Sequence, residues 1–296
     1  MNLQYMKAFY VTVKVNSISK AAKILHLTQP GLSMQIQALE KELQVSLLNR
    51  SNKGVELTDA GKVVFDYATT ILSLKDNIER DLESLKTDKK SLLIGSCKAL
   101  GEYALPCSIY VFKHNHKDVD INIEISNTAN VAENIINKTI NIGILHGIVK
   151  SKGLCIEKIT SDRLLLVTSL PLVKNEVSLE DFKRLPLIFR ENGSGTRKTI
   201  LDALTPFKIG YEDLNIIYEL NSMEAIKTSV LSGKGISFIP ELTIKRELKD
   251  GLLKEIKIDK LDLISDFYLA YNPDHYIINY EQEFIHFIKS SKRGFC

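Results

Sequence analysis

Residues 21–43 read AAKILHLTQPGLSMQIQALEKEL. The adjacent Ala21 and Ala22 are small enough for two helices to cross closely, as a helix-turn-helix requires. His26 and Leu27 form a short connector. Thr28 then takes the N-cap position of the next helix, with Pro30 in its first turn, where no amide hydrogen is missed. Leu32, Ile36, Leu39 and Leu43 follow at intervals of four, three and four, a single buried stripe. The opposite face carries Pro30, Ser33, Met34, Gln37 and Lys41, with Gln29 at its N-terminal end. A short helix with one dry stripe and one face of small polar residues suits a DNA major groove, and on its own it also suits an ordinary amphipathic helix.

The flanking residues weigh toward the groove. Leu3, Met6, Phe9, Tyr10 and Val13 predict a helix over 3–15, which Asn16 and Ser17 break; Ser17 or Ser19 then caps a second helix through Leu25. Within 48–57, the turn signal Asn52-Lys53-Gly54 separates two short strands, a hairpin wing with Arg50 at its base and Lys53 at its tip. Thr58-Asp59 opens a long helix to about Lys86, roughly 40 Å at 1.5 Å per residue. Along it Ala60, Val64, Tyr67, Ile71, Leu74 and Ile78 recur at coiled-coil spacing. Such a seam needs a partner. Dimerisation is the expectation, and packing on the same chain is the alternative.

Composition bounds what else the chain can be. At 296 residues two or three domains are expected, and 44% hydrophobic with 25% charged residues is ordinary for a globular protein. No apolar run approaches 18 residues and the N-terminus lacks a secretion-signal pattern, so a cytoplasmic protein with no membrane partner is expected. Residues 1–65 carry eight Lys/Arg against four Asp/Glu, whereas beyond residue 90 the signs balance at 26 each, which places a modest polyanion-facing charge at the N-terminal end. The four cysteines form no CxxC pair and the six histidines no HExxH, so no metal and no cofactor is expected. Neither a P-loop nor a nucleophile elbow is present, and no enzyme activity is expected.

After the polar stretch 86–90 the texture changes. Leu92-Leu93-Ile94, Ile121–Ile125, Ile140–Leu145 and segments near 164–168, 187–189, 216–219 and 236–239 read as strands alternating with helices, an α/β domain with a mostly parallel sheet. Four turns on the carboxyl side of these strands collect polar groups: Ser96-Cys97, Asn127-Thr128, Ser194-Gly195-Thr196-Arg197 and Asn221-Ser222. Open α/β sheets bind ligands at that edge. Small hydroxyls, a glycine turn and one Arg favour a small anion, although each Ser or Thr by itself is equally a helix cap. Cys97, at a helix start, offers a second reading as a redox-sensitive thiol, with no resolving cysteine visible.

The segment FYVTVKVNSISKAAKILHLTQPGLSMQIQALEKELQVSLLNRSNKGVELTDAG resembles the DNA-binding domain of LysR-type transcriptional regulators. Its AA, L-TQP-LS-QI-LE-EL and LT-AG elements fall in the family's order. SLLIGSCKALGEYALP, LIFRENGSGTRK and ELNSMEAIKTSVLSGKGISFIPE are similar to segments of the family's effector domain, and GSGTR leans toward the subgroup that includes regulators of carbon fixation and sulfur assimilation. The last 30 residues carry no comparable signal. Met34 stands where the family usually has Arg, Gly31 replaces a common Ala, and Asn49 replaces a common Glu or aromatic residue.

The resemblance implies a mainly α winged helix-turn-helix over 1–58, a linker and dimerisation helix over 59–86, and an α/β effector domain over 91–296. That domain would fold like a periplasmic binding protein, with subdomain I about 91–160 and 266–296 and subdomain II about 161–265. Expected partners are double-stranded DNA, a small anionic metabolite, RNA polymerase and further copies of the chain as a homodimer or homotetramer. On DNA the expected contacts are Ser19, Thr28, Gln29, Pro30, Ser33, Met34, Gln37, Arg50 and Lys53. For the effector they are the residues of the four turns. A plain cytosolic solute-binding protein would account for the second domain but not for the first 90 residues.

Overall fold

A computed structural model describes residues 1–51, 54–86, 90–149, 153–171, 175–273, 277 and 279–295. The chain divides into two compact units, Met1–Lys86 and Thr87–Cys296.

In the first unit, α1 (Leu3–Lys14), α2 (Ile18–Ile24) and α3 (Gln29–Leu43) precede a hairpin of β1 (Leu48–Ser51) and β2 (Gly54–Leu57), and α4 (Asp59–Lys86) closes it. Each short helix starts on a side chain that accepts an otherwise orphaned amide. Asn2 caps α1, Ser17 caps α2 and Thr28 caps α3. Ala8, Phe9, Ala21, Ala22, Leu32, Ile36, Leu39 and Leu47 form the buried core, so the double alanine does sit where α2 meets its neighbours. The hairpin pairs Leu48 with Leu57 and Arg50 with Val55; Lys53 and the side chain of Arg50 lie outside the described residues.

The turn from α3 into the hairpin depends on two contacts between residues distant in sequence. Glu40 of α3 accepts hydrogen bonds from the amides of Leu47 (2.7 Å) and Leu48 (3.3 Å). Thr58 donates its hydroxyl to the Ser46 carbonyl (2.7 Å) while accepting from the Gly61 amide (2.9 Å). This brings α4 so close that a Cβ on Gly61 would lie 2.0 Å from the Leu47 carbonyl oxygen.

Helix α4 has 28 residues, about 42 Å of helix. The expected seam is divided. Ala60 and Val64 pack on the core of their own domain, and Ile71, with Ala68 and Leu72, packs on Met6 and Tyr10 of α1. Phe65 stacks on Tyr10 at 5.3 Å and meets Phe9 edge-on at 6.4 Å. Heptad spacing cannot say which partner takes a residue, and here α1 takes the first half. Val63, Tyr67, Ile78 and Leu82 stay exposed, at 56, 68, 59 and 49%.

The second unit runs β3 (Lys90–Cys97), α5 (Lys98–Tyr103), α6 (Leu105–Asn115), β4 (Val119–Ser126), α7 (Thr128–Ile136), β5 (Ile142–His146) and β6 (Cys155–Thr168). There follow β7 (Glu176–Val177), α8 (Leu179–Arg184), β8 (Leu187–Arg190), α9 (Gly195–Leu204), β9 (Ile216–Leu220), α10 (Met223–Leu231) and β10 (Ser237–Pro240). It ends with α11 (Lys245–Lys249), β11 (Lys254–Glu255), β12 (Lys257–Ile258), β13 (Ile264–Tyr271) and α12 (Asn279–Lys289). In the order β10-β6-β13-β5-β3-β4, β3 is parallel to β4 and β5, whereas β13 is antiparallel to β5 and β6. A separate parallel pair, β8 and β9, joins β10 through a bridge from Leu187 to Ile236. The first half of β6 pairs with β13 and its second half with β10, so these long strands cross between two α/β subdomains, each with its own core.

Among the features that escaped the sequence reading are the start of β6, the central strand β13 and the C-terminal helix α12. Strand β6 begins at Cys155, not near 164, because its first half is half-exposed and mixes polar with apolar residues. The last 30 residues are not featureless: Tyr280, Phe284, Ile285 and Ile288 of α12 recur at helical spacing and are buried on the β3 sheet.

Prediction: Gly61→Ala should lower the stability of the DNA-binding unit by about 1–3 kcal/mol, because the Leu47 carbonyl is rigid backbone. Urea unfolding followed by circular dichroism would measure it, and an unshifted midpoint would show that α4 does not need this close approach.

Candidate functional site

In the first unit, α3 offers an open face. Thr28, Gln29, Pro30, Met34 and Gln37 are exposed, Ser33 is half-buried, and Leu32, Ile36 and Leu39 beneath them are fully buried. The Thr28 hydroxyl accepts from the Gly31 amide at 3.2 Å. Ser19 of α2 donates to the Gln29 side-chain oxygen at 3.1 Å, so the second helix holds the first amide of the third in place. A Cβ on Gly31 would lie 3.0 Å from the Thr28 hydroxyl, which leaves this cap little room for alanine.

In the second unit, three of the four polar turns converge. Cys97, Asn127, Thr128, Ser194, Gly195 and Thr196 line one cavity together with Lys98, Ala99, His146 and Arg190. These residues end β3, β4, β5 and β8 and begin α5, α7 and α9. Asn127 and Ser194 cap α7 and α9, accepting from the amides of Asn130 (2.9 Å) and Arg197 (3.5 Å). The cavity is small, at about 10 Å³, room for one water.

A backbone contact narrows it. A Cβ on Gly195 would fall 2.0 Å from the carbonyl oxygen of His146, so only glycine lets α9 of one subdomain meet β5 of the other this closely. Around that contact Thr196 lies 3.2 Å from His146 Nδ1. The Thr128 hydroxyl donates to the His146 carbonyl (3.3 Å) and accepts from its amide (3.1 Å), and the Ala129 amide donates to the Gly193 carbonyl (3.1 Å).

Of the other expected residues, Arg197 lines an adjoining cavity of about 480 Å³ together with Thr128, Ser194 and Gly195, whereas Ser96, Asn221 and Ser222 line neither cavity. Ser96 is fully buried and donates to the Cys97 carbonyl. Arg197 donates to Glu219 (2.6 Å) and to the Arg190 carbonyl (3.2 Å), with its guanidinium 4.3 Å from the Tyr211 ring centre. Asn221 is exposed, and Ser222 caps α10 by accepting from the Ala225 amide. The sequence reading missed Lys98, His146, Arg190 and Glu191. A charged residue or histidine closing an otherwise apolar strand, as in IGILH and LIFR, was the available signal.

The electrostatics of the cavity follow from burial. Arg190 is 4% exposed, and Glu191 answers it with two hydrogen bonds, Nε to Oε2 at 2.7 Å and Nη2 to Oε1 at 3.0 Å. Lys98 Nζ is 3.6 Å from the same carboxylate. Burial, helped by the Arg190 charge, pushes the His146 imidazole down to about 3, so it is neutral at pH 7. Its Nε2 is buried with no hydrogen-bond partner in the protein. Burial pushes the Cys97 thiol up to about 11, the reverse of what a reactive thiolate needs, so the redox reading is not favoured. Cys155 is likewise a free thiol, and Cys107 is disulfide-bonded. Among the described residues, no cluster of three or more His, Cys, Asp or Glu could hold a metal, and no helix is long and apolar enough to cross a membrane.

Residues 3–62 match the model of the bacterial regulatory helix-turn-helix protein, lysR family, and residues 86–293 match the LysR substrate binding domain. The chain belongs to the LysR family of transcriptional regulators. This regulator is 33% identical over 281 residues to a probable RuBisCO transcriptional regulator of Phaeodactylum tricornutum, covering 93% of this chain and 92% of that one. Its fold is that of CbnR, a LysR family transcriptional regulator, with TM-score 0.74, 18% identity and 98% of each chain covered. The regulatory domain of Synechocystis PCC6803 CcmR in complex with 2-PG aligns with TM-score 0.61 and 19% identity, over 68% of this chain and 96% of that one. The regulator thus joins a helix-turn-helix to an effector domain of the periplasmic-binding-protein type, and its relatives are regulators rather than enzymes.

Prediction: the unfolded chain protonates His146 near pH 6.5 and the fold only near pH 3, so between those values the unfolded state binds more protons and stability falls as pH falls. His146→Gln should flatten this loss, read from thermal midpoints between pH 7 and 4. An identical slope in both proteins would show that His146 does not drive it.

Proposed function

We propose that this regulator reads an operator with the exposed face of α3 and is switched by a small anion held between the two effector subdomains. The observation that carries the reading is the convergence of three strand-to-helix turns on one cavity with buried Arg190 and nearby Lys98. Amides at the starts of α7 and α9, the hydroxyls of Thr128 and Thr196, and His146 Nε2 supply neutral hydrogen bonds, and the two cations supply charge. The effector set is therefore Cys97, Asn127, Thr128, Ser194, Gly195 and Thr196 with Lys98, His146 and Arg190. Arg197 braces subdomain II against Glu219 and Tyr211.

On DNA, Gln29 and Gln37 read base edges, with Ser19 orienting Gln29. Thr28, Pro30, Ser33 and Met34 complete the groove face, and Arg50 and Lys53 of the wing meet phosphate. The exposed stripe Val63, Tyr67, Ile78 and Leu82 on α4 supports pairing with a second copy, as a homodimer or within a homotetramer. Such a protein works in the cytoplasm, bound to DNA beside RNA polymerase. The relatives' name makes RuBisCO promoters the first operators to test, and the 2-PG held by the CcmR domain makes small phosphate esters the first effectors.

Two substitutions separate the halves of the proposal. Gln29→Ala should cost roughly 1–3 kcal/mol of discrimination between operator and random duplex, with non-specific affinity retained. Gel-shift competition measures this, and an unchanged operator-to-random ratio would remove Gln29 from base reading. Thr196→Val should weaken the anion-induced change in the promoter footprint at least several-fold while operator affinity without anion is kept. A wild-type response in that variant would place the effector elsewhere.

A further inference from the structure

The cavity that the proposed function assigns to an anion already has one beside it, and that anion belongs to the protein. Glu191 follows Arg190 at the end of β8, and its carboxylate takes the Nε and Nη2 edge of the guanidinium at 2.7 and 3.0 Å. A carboxylate or phosphate ligand would seek such a two-pronged edge. The same Glu191 oxygen that accepts from Nη2 is 3.6 Å from Lys98 Nζ, so one carboxylate answers both cations.

The Arg190 side chain is 5% exposed, which prevents solvent from sharing its charge with Glu191. The Glu191 side chain is 19% exposed, so it has solvent to turn toward. The space at Arg190 itself is water-sized, about 10 Å³, although a cavity of about 480 Å³ adjoins it at Thr128, Ser194 and Gly195, so an ion that enters there reaches the guanidinium edge only by displacing a protein group. Glu102, on exposed α5 surface, faces Lys98 and Arg190 through space but makes neither of these direct contacts.

We propose that Glu191 is a built-in competitor of the effector: it occupies the anion-recognising edge of Arg190, and a ligand gains that edge by displacing it. This rests on the reading of the cleft as an anion site. Glu191 is also the specificity filter of the cleft. Exchanging one carboxylate for another gains little, so a monoanion such as acetate is excluded. A dianion, which meets Arg190 and Lys98 with two charges, displaces Glu191. In the unliganded protein burial alone would raise the Glu191 carboxyl, but the hydrogen bonds and charge of Arg190 outweigh it and hold the group below the usual carboxylate range, so the competitor is charged at neutral pH.

The test is calorimetric titration of the full-length protein at pH 8 and constant ionic strength, with inorganic phosphate and separately with acetate. Glu191→Gln is expected to bind phosphate at least tenfold more tightly than the wild type and to bind acetate where the wild type does not. The added substitution Arg190→Gln should abolish both gains. Glu191→Asp, too short for the same two-pronged grip, gives a smaller change in the same direction and stands in if Glu191→Gln melts well below the wild type. Equal phosphate affinity in wild type and variant, with Arg190→Gln abolishing binding to both, overturns the competitor while leaving the anion site intact. Phosphate binding to neither protein overturns both.

Discussion

The effector domain depends on one close approach, that of Gly195 to the carbonyl of His146. It joins the first turn of α9 to the end of β5 with no space for a side chain. Thr196 then reaches His146 Nδ1, Thr128 brackets the His146 backbone, and Ala129 hydrogen-bonds Gly193. Two subdomains with separate cores thereby share a polar seam, and the residues proposed for the effector line it. A contact made of backbone and short hydroxyls ties the subdomains without merging their cores, the kind of contact that the proposed ligand-gated cleft needs.

Burial gives the seam its electrical character. It keeps His146 neutral and Cys97 protonated, and it leaves Arg190 as a full charge that needs an answer from inside the protein. An unpaired buried guanidinium would be costly, so an unliganded cleft of this kind has to supply its own counter-ion. Under the proposed function, the resting protein and the liganded one are two ways of satisfying the same arginine.

The DNA-binding unit follows a different logic, because its decisive contacts are mostly local. Caps at Ser17 and Thr28, the stripe Leu32, Ile36 and Leu39, and the pairing of β1 with β2 all join residues a few positions apart, and each was legible as a pattern. Glu40 was not. It lies on the helix as one charge among several, and its grip on the amides of Leu47 and Leu48 exists only once the chain has turned back. The α4 seam shows the same limit, since its spacing was visible but its division between α1 and open surface was not.

What the sequence determined by itself is what depends on neighbours in the chain: the helix-turn-helix, the length of α4, the alternation of strands and helices, and the capping residues Asn127, Ser194 and Ser222 that mark strand-to-helix turns. The tertiary structure alone decided which turns meet. It brought residues 97, 128, 146, 190 and 196 to one cavity, turned Arg197 toward Glu219, and left Asn221 and Ser222 outside. Capping is a contact over three residues and leaves a local signature, whereas convergence depends on how β6 and β13 set two cores against each other, and that carries none.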